Sequence, residues 1–98
     1  MNGAIIPIIE HMKEASNLSD ALSGAKDYIY IYATGTRGGL PISNGLMIPI
    51  AVLTSSQRYI ASYNAWGQLQ VYISKTTASN LSWGTTDTTN IEYKYFYV

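Results

Sequence analysis

Twelve of the 98 residues carry aromatic rings: nine tyrosines, two tryptophans and one phenylalanine. A tyrosine or tryptophan joins an apolar body to a polar tip, so it can fill a core, seal a subunit contact or line a wet binding surface. Trp66 sits between two alternating runs, where a hairpin tip is expected, with Tyr63 and Asn64 before it and Gln68 after it. A ring at such a tip either folds back over its hairpin or stands out as a flat platform. A sugar ring can lay its C–H groups on such a platform while Asn and Gln amides bond its hydroxyls. Tyr63, Asn64, Trp66, Gln68, Tyr72 and Trp83 are therefore the expected ligand-binding residues.

Groups suited to catalysis are few and scattered. His11 is the single histidine and has Glu14 three residues on, within reach on one helix face. A metal site would need two further ligands. No Gly-x-Ser-x-Gly elbow is present. Asp87 and Glu92 are the carboxylates of the C-terminal half, and no spacing pairs them for glycoside hydrolysis. Thr34-Gly35-Thr36-Arg37-Gly38-Gly39 lacks the Gly-Lys-Ser/Thr ending of a phosphate loop. The expectation is a binding protein without catalytic residues, metal or cofactor.

Composition narrows the partners. Ninety-eight residues make one domain. Hydrophobic residues are 47% of the chain, enough for a core, whereas charged residues are 12%, about half the usual ~25%. Much of the surface must then be Ser, Thr, Asn, Gln, Gly and Tyr, which suits sugar binding and subunit contact. Net charge is zero and no basic run exists, which argues against nucleic acid. Without cysteine there is no disulfide, thiol chemistry or thiolate zinc. The apolar opening is broken by Glu10, His11 and Lys13, too early for a signal peptide or a ~20-residue span. A soluble protein with no membrane insertion is expected.

The elements follow from periodicity. Ile5, Ile8, Ile9 and Met12, continuing to Ala15, recur at helical spacing, with Pro7 placed for a first turn. Ile5, Ile8, Met12 and Ala15 also fit a short heptad seam. Residues 1–24 thus read as an N-terminal helical segment that either packs on its own domain or helps trimerise it. Ser16 or Asn17 caps a second short helix, Leu18 to Ser23, which Gly24 stops. Residues 25–98 read as a β-rich head domain. Tyr28 to Tyr32 alternate, so Tyr28, Tyr30 and Tyr32 face outward if Ile29 and Ile31 face inward. Thr34 to Gly39 is a glycine-rich loop, and Asn44-Gly45 is a tight-turn signal. Leu46 to Leu53 reads as a central strand, in which Pro49 requires a bulge or an edge. Gln57–Tyr63 and Gln68–Ser74 form a hairpin with Leu69, Val71 and Ile73 inward and Gln68, Gln70 and Tyr72 outward. Lys75 to Asn80 is a polar loop and Thr85 to Thr89 a polar, flexible stretch. Ile91 to Val98 closes the chain as a strand, with Ile91, Tyr93, Tyr95 and Tyr97 on one face. The class is mainly β: an antiparallel β-sandwich or partly closed barrel with a short N-terminal helix.

From Asn17 to about Thr86 the chain resembles the pyocin-knob type of module near the ends of phage tail fibres. Asn17-Leu18-Ser19-Asp20-Ala21-Leu22 leads into a tyrosine-rich strand, then Gly38-Gly39-Leu40-Pro41, then an apolar strand. Gln57-Arg58-Tyr59, Val71-Tyr72-Ile73-Ser74 and Ser82-Trp83-Gly84 follow in the same order. Ser74 and Lys75 stand where members often carry an arginine, and no second tryptophan follows Trp83. The resemblance implies a homotrimeric, all-β tip or head domain of a virion that engages host cell-surface saccharide. Its implied partners are further copies of itself, a host glycan and other tail or capsid proteins. It supplies no catalytic residues. The alternative is a structural virion component, such as a head fibre, a decoration or a fibre trimerisation cap, with no ligand of its own.

Overall fold

The computed structural model describes residues 11–83 and 87–98. The chain order is β1 (Lys13–Ala15), α1 (Leu18–Gly24), β2 (Tyr28–Arg37), β3 (Leu40–Pro49), a 3₁₀ turn (Ile50–Val52), β4 (Arg58–Asn64), β5 (Gly67–Ile73), β6 (Ala78–Ser82) and β7 (Thr88–Tyr97). The strands build two antiparallel sheets, one ordered β1-β7-β2-β3 and one ordered β4-β5-β6. The sheets do not close into a barrel.

Alternation on the central strands decides what each sheet buries. Ile29, Ile31 and Ala33 of β2, Ile42, Leu46 and Ile48 of β3, and Leu69, Val71 and Ile73 of β5 meet in one core. Helix α1 adds Leu18, Ala21 and Leu22 to the same cluster. Asn17 caps it, its side chain accepting a 2.8 Å hydrogen bond from the backbone N–H of Asp20. Ile91, Tyr93, Tyr95 and Tyr97 of β7 all turn to the core side and are partly buried there, in the order the alternation predicts.

Several local expectations are corrected. Lys13–Ala15 is a strand against β7, not the end of a helix; edge pairing with Tyr95, Phe96 and Tyr97 overrides the local helical spacing. The helical reading of Ile5, Ile8 and Ile9 lies outside the described residues. Thr34–Arg37 belongs to β2, and the loop shrinks to Gly38 and Gly39, whose φ of 58° and 83° form the tight turn into β3. Asn44-Gly45 is not a turn but lies inside β3. There the buried Asn44 joins the two sheets: its Nδ2 donates to the carbonyl of Ser62 on β4 and its Oδ1 accepts from Ser62 Oγ, both at 3.2 Å. The strand predicted to reach Leu53 ends at Pro49, on an edge strand, as the missing N–H requires. Part of the predicted polar loop, from Ala78 on, is strand β6. Ser74 makes the turn before it, its buried Oγ accepting from the N–H groups of Thr76 and Thr77.

Candidate functional site

The β4–β5 hairpin carries most of the expected ligand residues, and its register decides their company. Tyr59 lies opposite Tyr72, Ala61 opposite Gln70, and Tyr63 opposite Gln68, all on the side away from the core. This open face therefore reads as aromatic, small, aromatic on β4 and amide, amide, aromatic on β5. Tyr59 and Tyr72 pack ring to ring at 4.6 Å between centroids, tilted by 30°. Gln68 Nε2 donates to Gln70 Oε1 at 2.9 Å, which fixes the two amides as a pair. Tyr63 is 76% exposed and Tyr59 61%, so neither ring is spent on the chain's own core.

The tip of the hairpin is held from two sides. Asn64 Oδ1 accepts the Trp66 N–H at 2.8 Å, closing the turn, and Asn64 Nδ2 donates to the Ser43 carbonyl at 2.8 Å. Both ends of the Asn64 amide are thus engaged in building the tip. Trp66 remains 39% exposed. The guanidinium carbon of Arg37, the last residue of β2, stands 5.5 Å from its ring centroid, within cation–π range. Arg37 also faces Asp87 at 3.8 Å, a loose and largely solvated pair. The β4–β5 tip and the Gly38-Gly39 turn with its exposed Leu40 accordingly share one end of the molecule. At the opposite end Val98 accepts backbone hydrogen bonds from Lys26, Asp27 and Tyr28 and shares a depression with His11.

Of the six expected residues, the structure places Tyr63, Gln68 and Tyr72 on one open face and Trp66 at the tip beside it. Asn64 lies beneath the tip. Trp83 is only 6% exposed; it packs over Gly35 and reaches the surface as part of a 260 Å³ depression shared with Gln68, Gln70 and Ser82. Its indole Nε1 is buried with no hydrogen-bond partner among the described residues. Tyr59, Gln70 and Arg37 belong to the same surface and were missed. The parity of Arg58–Asn64 pairs Tyr59 with Tyr63, and that of Gly67–Ile73 pairs Gln70 with Gln68, so both were readable once the hairpin register was fixed. Arg37 was not readable, because its place depends on how the two sheets stack.

Among the described residues no three His, Cys, Asp or Glu side chains gather to hold a metal ion. His11 is exposed on the far side. The perturbed groups are tyrosines: burial, and then the neighbouring Tyr32, raise the Tyr30 hydroxyl above 10.0. Burial raises Tyr93, opposed by a backbone hydrogen bond from Trp83 and aided by Tyr95. Tyr95 is raised by burial alone. All three stay neutral donors at physiological pH. Flat rings beside amide donors and acceptors and one arginine are the elements of a surface that binds polar, ring-shaped ligands. No family model matches the chain, and neither a curated protein nor a solved structure is significantly similar to it. No helix among the described residues is long and apolar enough to cross a membrane.

Proposed function

We propose that this chain is the receptor-binding head domain of a phage tail fibre, a homotrimer that engages host cell-surface saccharide without catalysis. The observation that carries the reading is the open face of β4 and β5. It holds two strongly exposed tyrosines, a tilted Tyr59–Tyr72 ring pair and a fixed Gln68–Gln70 pair, with Trp66 and Arg37 at its end. A solvated antiparallel face ordinarily carries charged and short polar residues. Rings kept in water at positions that Thr or Lys would fill more cheaply are explained by a ligand that stacks on them. The amides meet sugar hydroxyls in pairs, and Arg37 adds a donor for acidic or phosphorylated sugars.

Screening the protein against an array of purified bacterial surface polysaccharides tests this. The expected result is saturable binding to one class, lost in Tyr63→Ala and Trp66→Ala. Binding to none, or equal binding by both variants, overturns it. A second reading, a structural virion part such as a head fibre or trimerisation cap, is favoured by the half-buried ring cluster on the other sheet. Under that reading the wild type binds no polysaccharide, and substitutions in that ring cluster, on β2 and β7, lose the trimer while the two hairpin variants keep it.

A further inference from the structure

The outer face of the four-stranded sheet is unusual for a side that meets solvent. Tyr28, Tyr30 and Tyr32 leave β2 on this side; Phe96 of β7 and Met47 of β3 flank Tyr30 across the ladders. Tyr30 is the hub: its ring lies 6.4 Å from that of Tyr32 at 20°, and 6.3 Å from that of Phe96. Gly45 makes room for it, since a Cβ there would lie 3.0 Å from Tyr30 Cζ. The rings border a groove of about 470 Å³ that Thr34, Lys94 and Glu92 complete. Aromatic and Met side chains with few charges are the composition of the centre of a protein–protein contact.

The two charges indicate the occupant. Lys94 lies across from Tyr32 and Glu92 across from Thr34, two residues apart on the same side of β7. Neither makes an ion pair among the described residues. Opposite charges set side by side on one patch let copies arranged as a closed ring pair Lys94 of one with Glu92 of the next, a need that an uncharged ligand does not meet. A sugar in the groove would also leave Met47 and Tyr28 in water, at 40% and 41% exposure. A whole protein face covers them.

We propose that copies of this chain meet through the outer face of the four-stranded sheet, with Lys94 of each copy on Glu92 of the next and Tyr30, Tyr32 and Phe96 packed between them. The trimer itself belongs to the head-domain reading above, on which this rests; what is new is the surface that builds it, which leaves the β4–β5 face free for ligand.

Sedimentation equilibrium of the full chain tests it, with circular dichroism confirming that each variant is folded. The wild type is expected at three times its 10.8 kDa chain mass. Lys94→Glu and Glu92→Lys are each expected to weaken association by about a hundredfold, since like charges in such a contact cost several kcal/mol. Phe96→Glu is expected to weaken it by a similar factor, since it removes a packed ring and buries a carboxylate without a partner. The double exchange Glu92→Lys with Lys94→Glu restores opposite signs and is expected to reassemble. A wild type that stays monomeric overturns the trimer and this contact together. A trimer that survives all three single variants overturns this contact alone, because the copies then meet elsewhere.

Discussion

Three side chains hold the candidate surface in place, each through a different interaction. Asn64 uses its amide to close the hairpin tip and tie it to Ser43. Asn44 spans the sheets from a buried position, bonding Ser62 while also accepting the Gly45 N–H at 2.8 Å. Replacing Asn44 by Ala strands the Ser62 hydroxyl and costs about 1–3 kcal/mol, read as a lower urea midpoint. Trp83 contributes bulk: it fills the space above Gly35 while its buried N–H finds no partner among the described residues. The raised tyrosine hydroxyls give the fold a pH signature. Tyr30, Tyr93 and Tyr95 are harder to ionise folded than unfolded, so their contribution is complete below pH 10.0. It is lost as pH climbs through the raised folded values. The melting temperature is therefore expected to fall above pH 10.0 in step with tyrosinate absorbance. A Tyr30→Phe variant should show a shallower fall.

At the scale of elements, the hairpin β4–β5 and strand β7 carry the surfaces, and their alternation was legible because each has one side fixed by burial. Leu69, Val71 and Ile73 are fully buried, which leaves Gln68, Gln70 and Tyr72 no choice of side. The same parity puts Tyr28, Tyr30 and Tyr32 outward opposite Ile29 and Ile31. Where a signal was local, it failed whenever a tertiary contact competed. Asn44-Gly45 has the chemistry of a turn, but Asn44 is needed for the bond to Ser62 and Gly45 for the passage of Tyr30, so both stay in β3. Lys13–Ala15 has helical spacing, but the free edge of β7 recruits it. Within β7, Asn90 takes a φ of 54° where three of its steps oppose two of β2, a bulge that no alternation could reveal. Gly45→Ala makes the competing contact measurable. A methyl group there pushes against the hydroxyl end of Tyr30 and should cost about 1–3 kcal/mol by thermal melting.

The whole molecule divides the rings that lie outside its core between two opposite faces and places its hairpin tips at one end, with His11 and Val98 at the other. One face is apolar with the single charge pair of Glu92 and Lys94; the other is amide-rich, with Tyr63 76% and Tyr59 61% exposed. On the reading proposed above that division separates a ligand surface from a subunit surface, and it depends on sheet stacking that the sequence does not encode locally. Self-association and ligand binding should accordingly respond to different substitutions. The most direct test is a binding isotherm on the polysaccharide the wild type selects, comparing the Tyr63→Ala/Trp66→Ala double variant with the wild type at matched sedimentation mass. If the open face of β4 and β5 is the receptor surface, the double variant stays trimeric and loses at least roughly thirtyfold in affinity, the scale of a lost aromatic anchor. An unchanged isotherm from an intact trimer would contradict it.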